Sequence, residues 1–170
     1  MDQLNFLHNG QGDTCEKDKL NYWKLFIDGA SRNNPGPAGA GIYITKNGKE
    51  ALRQGFYIGI KTNNQAEYLS LSVGLFFLKK HLCKDDVVMI VSDSQLLVRQ
   101  ILRKYKVKNA GIIPLFQLSN QLLSGINYNI VHVLRHENKD ADEMANVGID
   151  KRKKLPKEFV DMLHKYEIQI

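Results

Sequence analysis

Four acidic residues of this chain, Asp28, Glu67, Asp93 and Asp142, fall where carboxylates can act together. Asp28 closes the apolar run Lys24–Asp28, and Asp93 follows the β-branched run Val87–Val91. In open α/β sheets, sites form beyond the carboxyl ends of neighbouring parallel strands. Glu67 is expected in the first turn of a helix led in by Thr62-Asn63-Asn64, and Asp142 in the first turn of a closing helix. Without a counter-charge such a cluster repels: like charges ~4 Å apart cost about 4 kcal/mol at an effective dielectric near 20. A divalent cation removes that cost. Oxygen-only ligation suits Mg²⁺ or Mn²⁺, whereas zinc would want His or Cys. The chemistry that follows is two-metal displacement at phosphorus, with one ion activating water and the other stabilising the leaving oxygen. Taken singly, each acid has a plainer reading. Asp28 before Gly29 could cap a turn, Glu67 and Asp142 could complement helix dipoles, and Asp93 could be an N-cap. Their joint placement favours the shared role.

The elements that must position these acids are legible in the hydrophobic pattern. Lys24–Asp28 reads as a short strand, followed by a turn-rich stretch from Gly29 to Pro37. Ala40–Thr45 and Glu50–Ile58 read as two strands joined by an Asn47-Gly48 hairpin turn, so the three form an antiparallel meander. The spacing of Ala66, Leu69, Val73, Phe76 and Phe77 predicts a helix from Asn63 to about His81 with one buried face. Val87–Val91 is a strand covered on both faces. Ser94 to about Lys104 and Pro114–Leu123 read as helices, Tyr128–Leu134 as a strand and Asn138–Ile149 as the closing helix. The strand–helix–strand units require right-handed parallel crossovers. The expected fold is therefore α/β: a mixed five-stranded sheet, antiparallel meander plus parallel strands, with helices on both faces.

Three segments are expected. Residues 1–21 are polar and aperiodic and read as a flexible extension, 22–150 as the catalytic domain, and 151–170 as a basic tail with a last short helix through Lys165. At 170 residues, 43% hydrophobic and 25% charged, the chain has the make-up of one globular domain. No apolar run approaches the ~20 residues of a membrane span, and the N-terminus lacks the features of a signal peptide. A cytoplasmic protein is expected. Cys15 and Cys83 match no metal-ligand spacing and read as two free thiols. The net charge of +6 favours an anionic partner.

The motifs around the four acids resemble those of the type 1 ribonuclease H family. Asp28-Gly29-Ala30-Ser31-Arg32-Asn33-Asn34-Pro35-Gly36-Pro37-Ala38-Gly39 is similar to the family's opening segment, and Thr62-Asn63-Asn64-Gln65-Ala66-Glu67 to its second. Ser92-Asp93-Ser94-Gln95 and Asn138-Lys139-Asp140-Ala141-Asp142 resemble the third and the last. Four such motifs in register, over roughly residues 22 to 150, are far more specific than any one. The resemblance implies a ribonuclease H-like fold and an endoribonuclease that cuts the RNA strand of RNA–DNA hybrids, leaving 5′-phosphate and 3′-hydroxyl ends. It implies Asp28, Glu67, Asp93 and Asp142 as catalytic metal ligands, two Mg²⁺ ions with substrate bound and Mn²⁺ as a substitute. It further implies that Asn34, Asn63 and Asn64 reach the RNA minor groove and its 2′-hydroxyls, and that Thr62 holds a DNA-strand phosphate. A monomer acting on a hybrid, away from membranes, is expected. The rival readings are a non-catalytic nucleic-acid-binding module, which would have lost a carboxylate, and another nuclease on the same scaffold.

Two departures shape the expectations. Arg99–Pro114 is short and lacks the Trp-containing basic arm of many bacterial relatives, leaving Arg99, Arg103, Lys104, Lys106 and Lys108 as sources of backbone attraction, with Lys151–Lys154 as a further basic run. Arg135-His136-Glu137-Asn138 is similar to the compact closing segment of archaeal-type members. In relatives with a longer loop, a histidine ahead of the last acid assists proton transfer or product release. Here His136 immediately follows the predicted strand, and only five residues separate it from Asp142. That leaves no slack for a mobile loop. The expectation is that His136→Ala lowers kcat by less than about tenfold, below the 10²–10⁴ range of positioned acid–base catalysis. A hundredfold loss at saturating hybrid, with fold and metal binding intact, would give His136 the role denied to it here.

Overall fold

The computed structural model describes Cys15 and residues 19–170. Most of the extension expected over residues 1–21 lies outside the described residues. Three strands open the fold: β1 (Tyr22–Ser31), β2 (Gly36–Lys46) and β3 (Lys49–Lys61). Then follow α1 (Asn63–Lys79), β4 (Val87–Ser92), α2 (Gln95–Ile101), α3 (Ile113–Leu123) and β5 (Asn127–His132). A 3-10 turn (Arg135–Glu137), α4 (Lys139–Lys151) and α5 (Lys157–Lys165) complete it. The strand order is β3-β2-β1-β4-β5, antiparallel within the meander and parallel across β1-β4-β5, as expected. Asn47 and Gly48 both have positive φ, +51° and +80°, the geometry of the two-residue hairpin turn their identities suggest.

The connection after Asp28 is shorter than its composition suggests. Gly29, Ala30 and Ser31 pair with Ala40, Gly39 and Ala38, so cross-strand hydrogen bonding overrides local turn propensity and only residues 32–35 form the turn. Asp28 therefore lies within β1 rather than at its end. Measured against β4 it still sits at an edge, because Ile27–Ser92 is the last parallel pair and the two strands part at Asp28 and Asp93.

Alternation along β2 assigns the two helical layers. A Cβ on Gly39 would lie 2.0 Å from the Ala145 carbonyl oxygen, and one on Gly41 2.1 Å from that of Ala141 and 2.4 Å from the Ala145 nitrogen in α4, whereas Ile42 and Leu25 pack against Gly74 of α1 on the other face. α1 is buried on more than the one face expected. From Tyr68 to Leu78 every residue is buried, because α3 lies against it through a Ser72–Ser119 hydroxyl contact of 3.1 Å and α5 through Phe76–Phe159 ring packing at 5.3 Å.

Two expectations need correction. Cys15 and Cys83 are joined in a disulfide with Cα atoms 5.7 Å apart, not two free thiols. They are 68 residues apart in sequence, but each lies shortly before a strand, and β1 and β4 pair side by side from Tyr22–Val87 onward. Residues 151–170, expected as a basic tail with a last short helix, do form that helix, α5, but the segment packs into the core rather than trailing from it. The Tyr57 N–H donates to Lys153 O (2.8 Å), and Leu155, Phe159, Leu163 and Ile168 enter the same core as Trp23, Leu25 and Leu69. The basic run also lies at the far end of α4 from Asp142, about 14 Å along the axis at 1.5 Å per residue. Among the described residues no helix is long and apolar enough to cross a membrane. Phe159 is fully buried; Phe159→Ala should cost about 3–5 kcal/mol of stability in urea unfolding. A loss below about 0.5 kcal/mol, within the range of a surface substitution, would detach α5 from the core.

Candidate functional site

Where β1 and β4 part, backbone contacts bring the acids together. A Cβ on Gly29 would lie 2.2 Å from the Ala66 carbonyl carbon and the Glu67 nitrogen. Only a glycine lets α1 lie directly against the strand carrying Asp28. The Ser70 hydroxyl donates to the Asp28 carbonyl at 2.6 Å, and the buried Asn138 amide donates to the Ile27 carbonyl at 2.8 Å. The peptide carbonyls on either side of the Asp28 nitrogen are thus tied to α1 and to the start of α4.

Oxygens of Asp28, Glu67 and Asp93 lie within 4.8 Å of one another. Asp142 stands beside them rather than among them: it is within hydrogen-bond reach of Asp28, and its Oδ1 accepts from Arg135 Nη2 at 2.9 Å. The plainer readings fail for three of the acids. Asp28 is inside a strand. Ser94, not Asp93, caps α2, its hydroxyl accepting from the Leu97 N–H at 3.3 Å. Glu67 is the fifth residue of α1, past the first turn in which it was expected. Asp142 does lie in the first turn of α4.

The electrostatics show the cost of this grouping. Burial first, then the charges of Asp93 and Asp142, push the Asp28 carboxyl up to about 8, with Arg135 opposing. Burial, then Asp28 and Asp93, hold Glu67 well above the carboxylate range. Glu67 Oε2 is buried with no hydrogen-bond partner. A buried, unpartnered carboxylate oxygen is expensive. Facing two more acids in an all-oxygen set, it fits a hard divalent cation.

The residues expected to contact substrate lie beside this cluster. The Asn63 N–H donates to Asn34 Oδ1 at 3.0 Å, and Asn63 Oδ1 accepts from the Ser31 N–H at 3.1 Å. Both side-chain carbonyls are used to pin the 32–35 turn to α1, while both residues remain exposed. Thr62 is the N-cap of α1 in a capping box with Gln65. Asn64 lines a narrow cleft with Glu67, Ser94 and Asn109. His136 is exposed in the 3-10 turn, whose neighbour Arg135 makes the contact to Asp142. Sequence reasoning missed Arg135, Ser70 and Asn138 as site-building residues; Arg135 lies in the 3-10 turn and Asp142 in α4, so no single element's period joins them.

A half-buried cluster of carboxylates able to hold a metal, at the mouth of two parallel strands in a β3-β2-β1-β4-β5 sheet, marks the ribonuclease H-like fold. A profile of the RNase H family matches residues 21–150, and the chain belongs to that family. Ribonuclease HI of Halobacterium salinarum is 34% identical over 127 residues, 74% of this chain and 63% of that protein. Ribonuclease H of Coxiella burnetii is 34% identical over 151 residues, 79% of this chain and 94% of that one. The chain spans only 63% and 34% of the first curated relatives it matches, the second from Mycobacterium. Among solved structures, RNase H1 of the halophilic archaeon superimposes with a TM-score of 0.72 at 32% identity, covering 76% of this chain and 98% of that one. LC11-RNase H1, solved in complex with an RNA/DNA hybrid, gives 0.70 at 36% identity, covering 77% and 97%. The family uses divalent metal, and Asp28, Glu67 and Asp93 form the group that could hold it.

The raised carboxyls set a pH dependence. With Asp28 near 8 in the fold against an ordinary 3.8, the folded chain keeps a proton that the unfolded chain releases between those values. Metal-free stability should therefore be highest at the acid end of this window and fall as pH rises through it, by up to about 1.4 kcal/mol per pH unit for each such group. Thermal unfolding in EDTA checks this. Asp28→Asn should flatten the slope and raise Tm at the alkaline end. An equally steep fall in the variant would place the proton elsewhere.

Proposed function

We propose that the protein is a metal-dependent endoribonuclease that hydrolyses the RNA strand of RNA–DNA hybrids. One observation carries the reading: three carboxylates converge within 4.8 Å around a buried, unpartnered Glu67 oxygen, in a chain of the RNase H family. The hybrid-bound LC11 relative supports the substrate class.

Asp28, Glu67 and Asp93 would hold the metal, with Asp142 beside them, paired to Arg135, as a further carboxylate for it. Two Mg²⁺ ions with substrate bound, or Mn²⁺ in their place, would supply an activated water and stabilise the leaving oxygen of an in-line displacement. The residues around them orient the hybrid. Asn34 and Asn63 spend their side-chain carbonyls on the protein, so the amide N–H₂ groups are left to donate outward to 2′-hydroxyls and base edges in the minor groove. Asn64 and Thr62 extend that surface along the start of α1. Gly29, Ser70 and Asn138 touch no substrate; they keep the Asp28 backbone from moving as its side chain is pulled. Every group invoked comes from one chain, and the protein acts as a monomer.

Labelled RNA–DNA hybrid, double-stranded RNA and duplex DNA, each with and without Mg²⁺, test the reading. Only the hybrid should be cut, only with metal, leaving 5′-phosphate and 3′-hydroxyl ends because water rather than the RNA 2′-hydroxyl attacks. Asp28→Asn and Asp93→Asn should each abolish cleavage while the metal-free fold keeps or gains stability. Products with 2′,3′-cyclic phosphate, or full activity in excess EDTA, would overturn it.

A further inference from the structure

Acidic and basic residues are segregated in this chain beyond the active site. Between Asp93 and Glu137 there is no Asp or Glu, while Arg99, Arg103, Lys104, Lys106, Lys108 and Arg135 all fall there. This stretch holds the whole crossover from β4 to β5 (α2, the connection to α3, and α3 itself), then β5 and the start of the 3-10 turn, where Arg135 lies. Between α2 and α3 it encloses an open groove of about 440 Å³, lined by Arg103, Tyr105, Lys106, Ile113, Phe116 and Gln117.

The groove is built around aromatic rings. The Phe116 ring is set edge-on by Tyr68 at 6.5 Å, and the Tyr68 hydroxyl donates to Gln100 Oε1 at 2.9 Å. The Arg103 guanidinium lies 5.9 Å from the centre of Phe116. Tyr105 is held by Arg99, which lies 5.0 Å over its ring and bonds its hydroxyl. Tyr105 and Ile113 are nonetheless 45% and 38% exposed, so flat apolar surface faces the solvent between cations. Cations flanking exposed rings are the combination that holds single-stranded nucleic acid: charge tracks the phosphates and rings stack on bases of any sequence.

The groove also continues the site. Gln100 lines both this groove and the cleft that Glu67, Asn64 and Ser94 line. α2, which links them, has 7 residues; at 1.5 Å per residue it is about 10 Å long, roughly three nucleotide steps of a duplex strand. We propose that the groove between α2 and α3 is a second nucleic-acid subsite, which takes an unpaired base and its phosphate where a strand leaves the hybrid. The proposal rests on the hybrid reading of the active site. It gives the protein a preference for junctions between hybrid and single strand over blunt hybrids.

Three hybrids of one sequence test it: blunt, and with four unpaired thymidines at the 5′ or the 3′ end of the DNA strand. With wild type and Mg²⁺, one extension should lower KM about fivefold or more relative to the blunt hybrid, the weak end of one base stacking on an aromatic ring, with kcat unchanged. Tyr105→Ala removes a ring, and Gln117→Glu places an anion at the exposed rim. Each should erase the gain from the extension, with Tm as the check on folding. A fluorescent oligothymidine bound in EDTA provides a readout independent of cleavage, and Gln117→Glu should weaken it by a similar factor. Cleavage of blunt hybrid with no gain from either extension would overturn the subsite while leaving the proposed function standing. If no hybrid is cleaved, that function fails, and equal oligothymidine binding by wild type and Gln117→Glu overturns the subsite separately.

Discussion

The site depends on a contact between two backbones. Gly29 lets the α1 peptide at Ala66–Glu67 lie directly on β1, closer than any side chain would allow. From that contact follow the position of Glu67 over the parting of β1 and β4 and its proximity to Asp28 and Asp93. The second helical layer uses the same device, since Gly39 and Gly41 admit α4 close enough for Asn138 to bond β1 and for Asp142 to reach Asp28. Close packing of this kind is rigid because displacement in either direction loses contacts or makes clashes. A flexible scaffold would relieve the crowding of the acids by letting them drift apart.

Rigidity leaves the repulsion nowhere to go except into protonation or into a bound cation. The Asp28 carboxyl pushed up to about 8, and the unpartnered Glu67 oxygen, are two expressions of one cost. Arg135 relieves part of it at the rim by pairing with Asp142. That pair is largely solvent-facing on the arginine side and so is weak, which keeps Asp142 available to a stronger competitor. The core that withstands the strain is elsewhere: Trp23, Leu25, Ile42 and Leu69 beneath the sheet, closed by Phe159 and Leu163 from the last helix.

Charge is arranged on a larger scale in the same sense. The acids gather in a pocket lined by α1 and the strand mouth, while the segment between Asp93 and Glu137, which includes the crossover, has cations and no Asp or Glu. A small negative centre beside a broad positive face attracts a polyanion without neutralising the metal-binding cluster, because field falls off over a Debye length of about 8 Å in physiological salt.

Much of this was determined by the sequence alone. Period-two and helical spacings mark the strands and helices, Asn47-Gly48 sets its hairpin, and the β-branched run at Val87 places β4 in the interior. Asp28 and Asp93 are legible because parallel strands end on one side of a sheet, and Glu67 and Asp142, which lie on helices, by the motifs around them. What tertiary structure decided depends on distances between segments remote in sequence. Pairing of Gly29–Ser31 with β2 extended a strand through residues whose local preference is to turn. The disulfide of Cys15 with Cys83, the burial of Leu155 and Phe159 against the sheet and α1, and the pairing of Arg135 with Asp142 each join groups that belong to different elements. Local periodicity reports which face of an element is buried; it is silent about which remote side chain arrives there, and that is settled only when the elements pack.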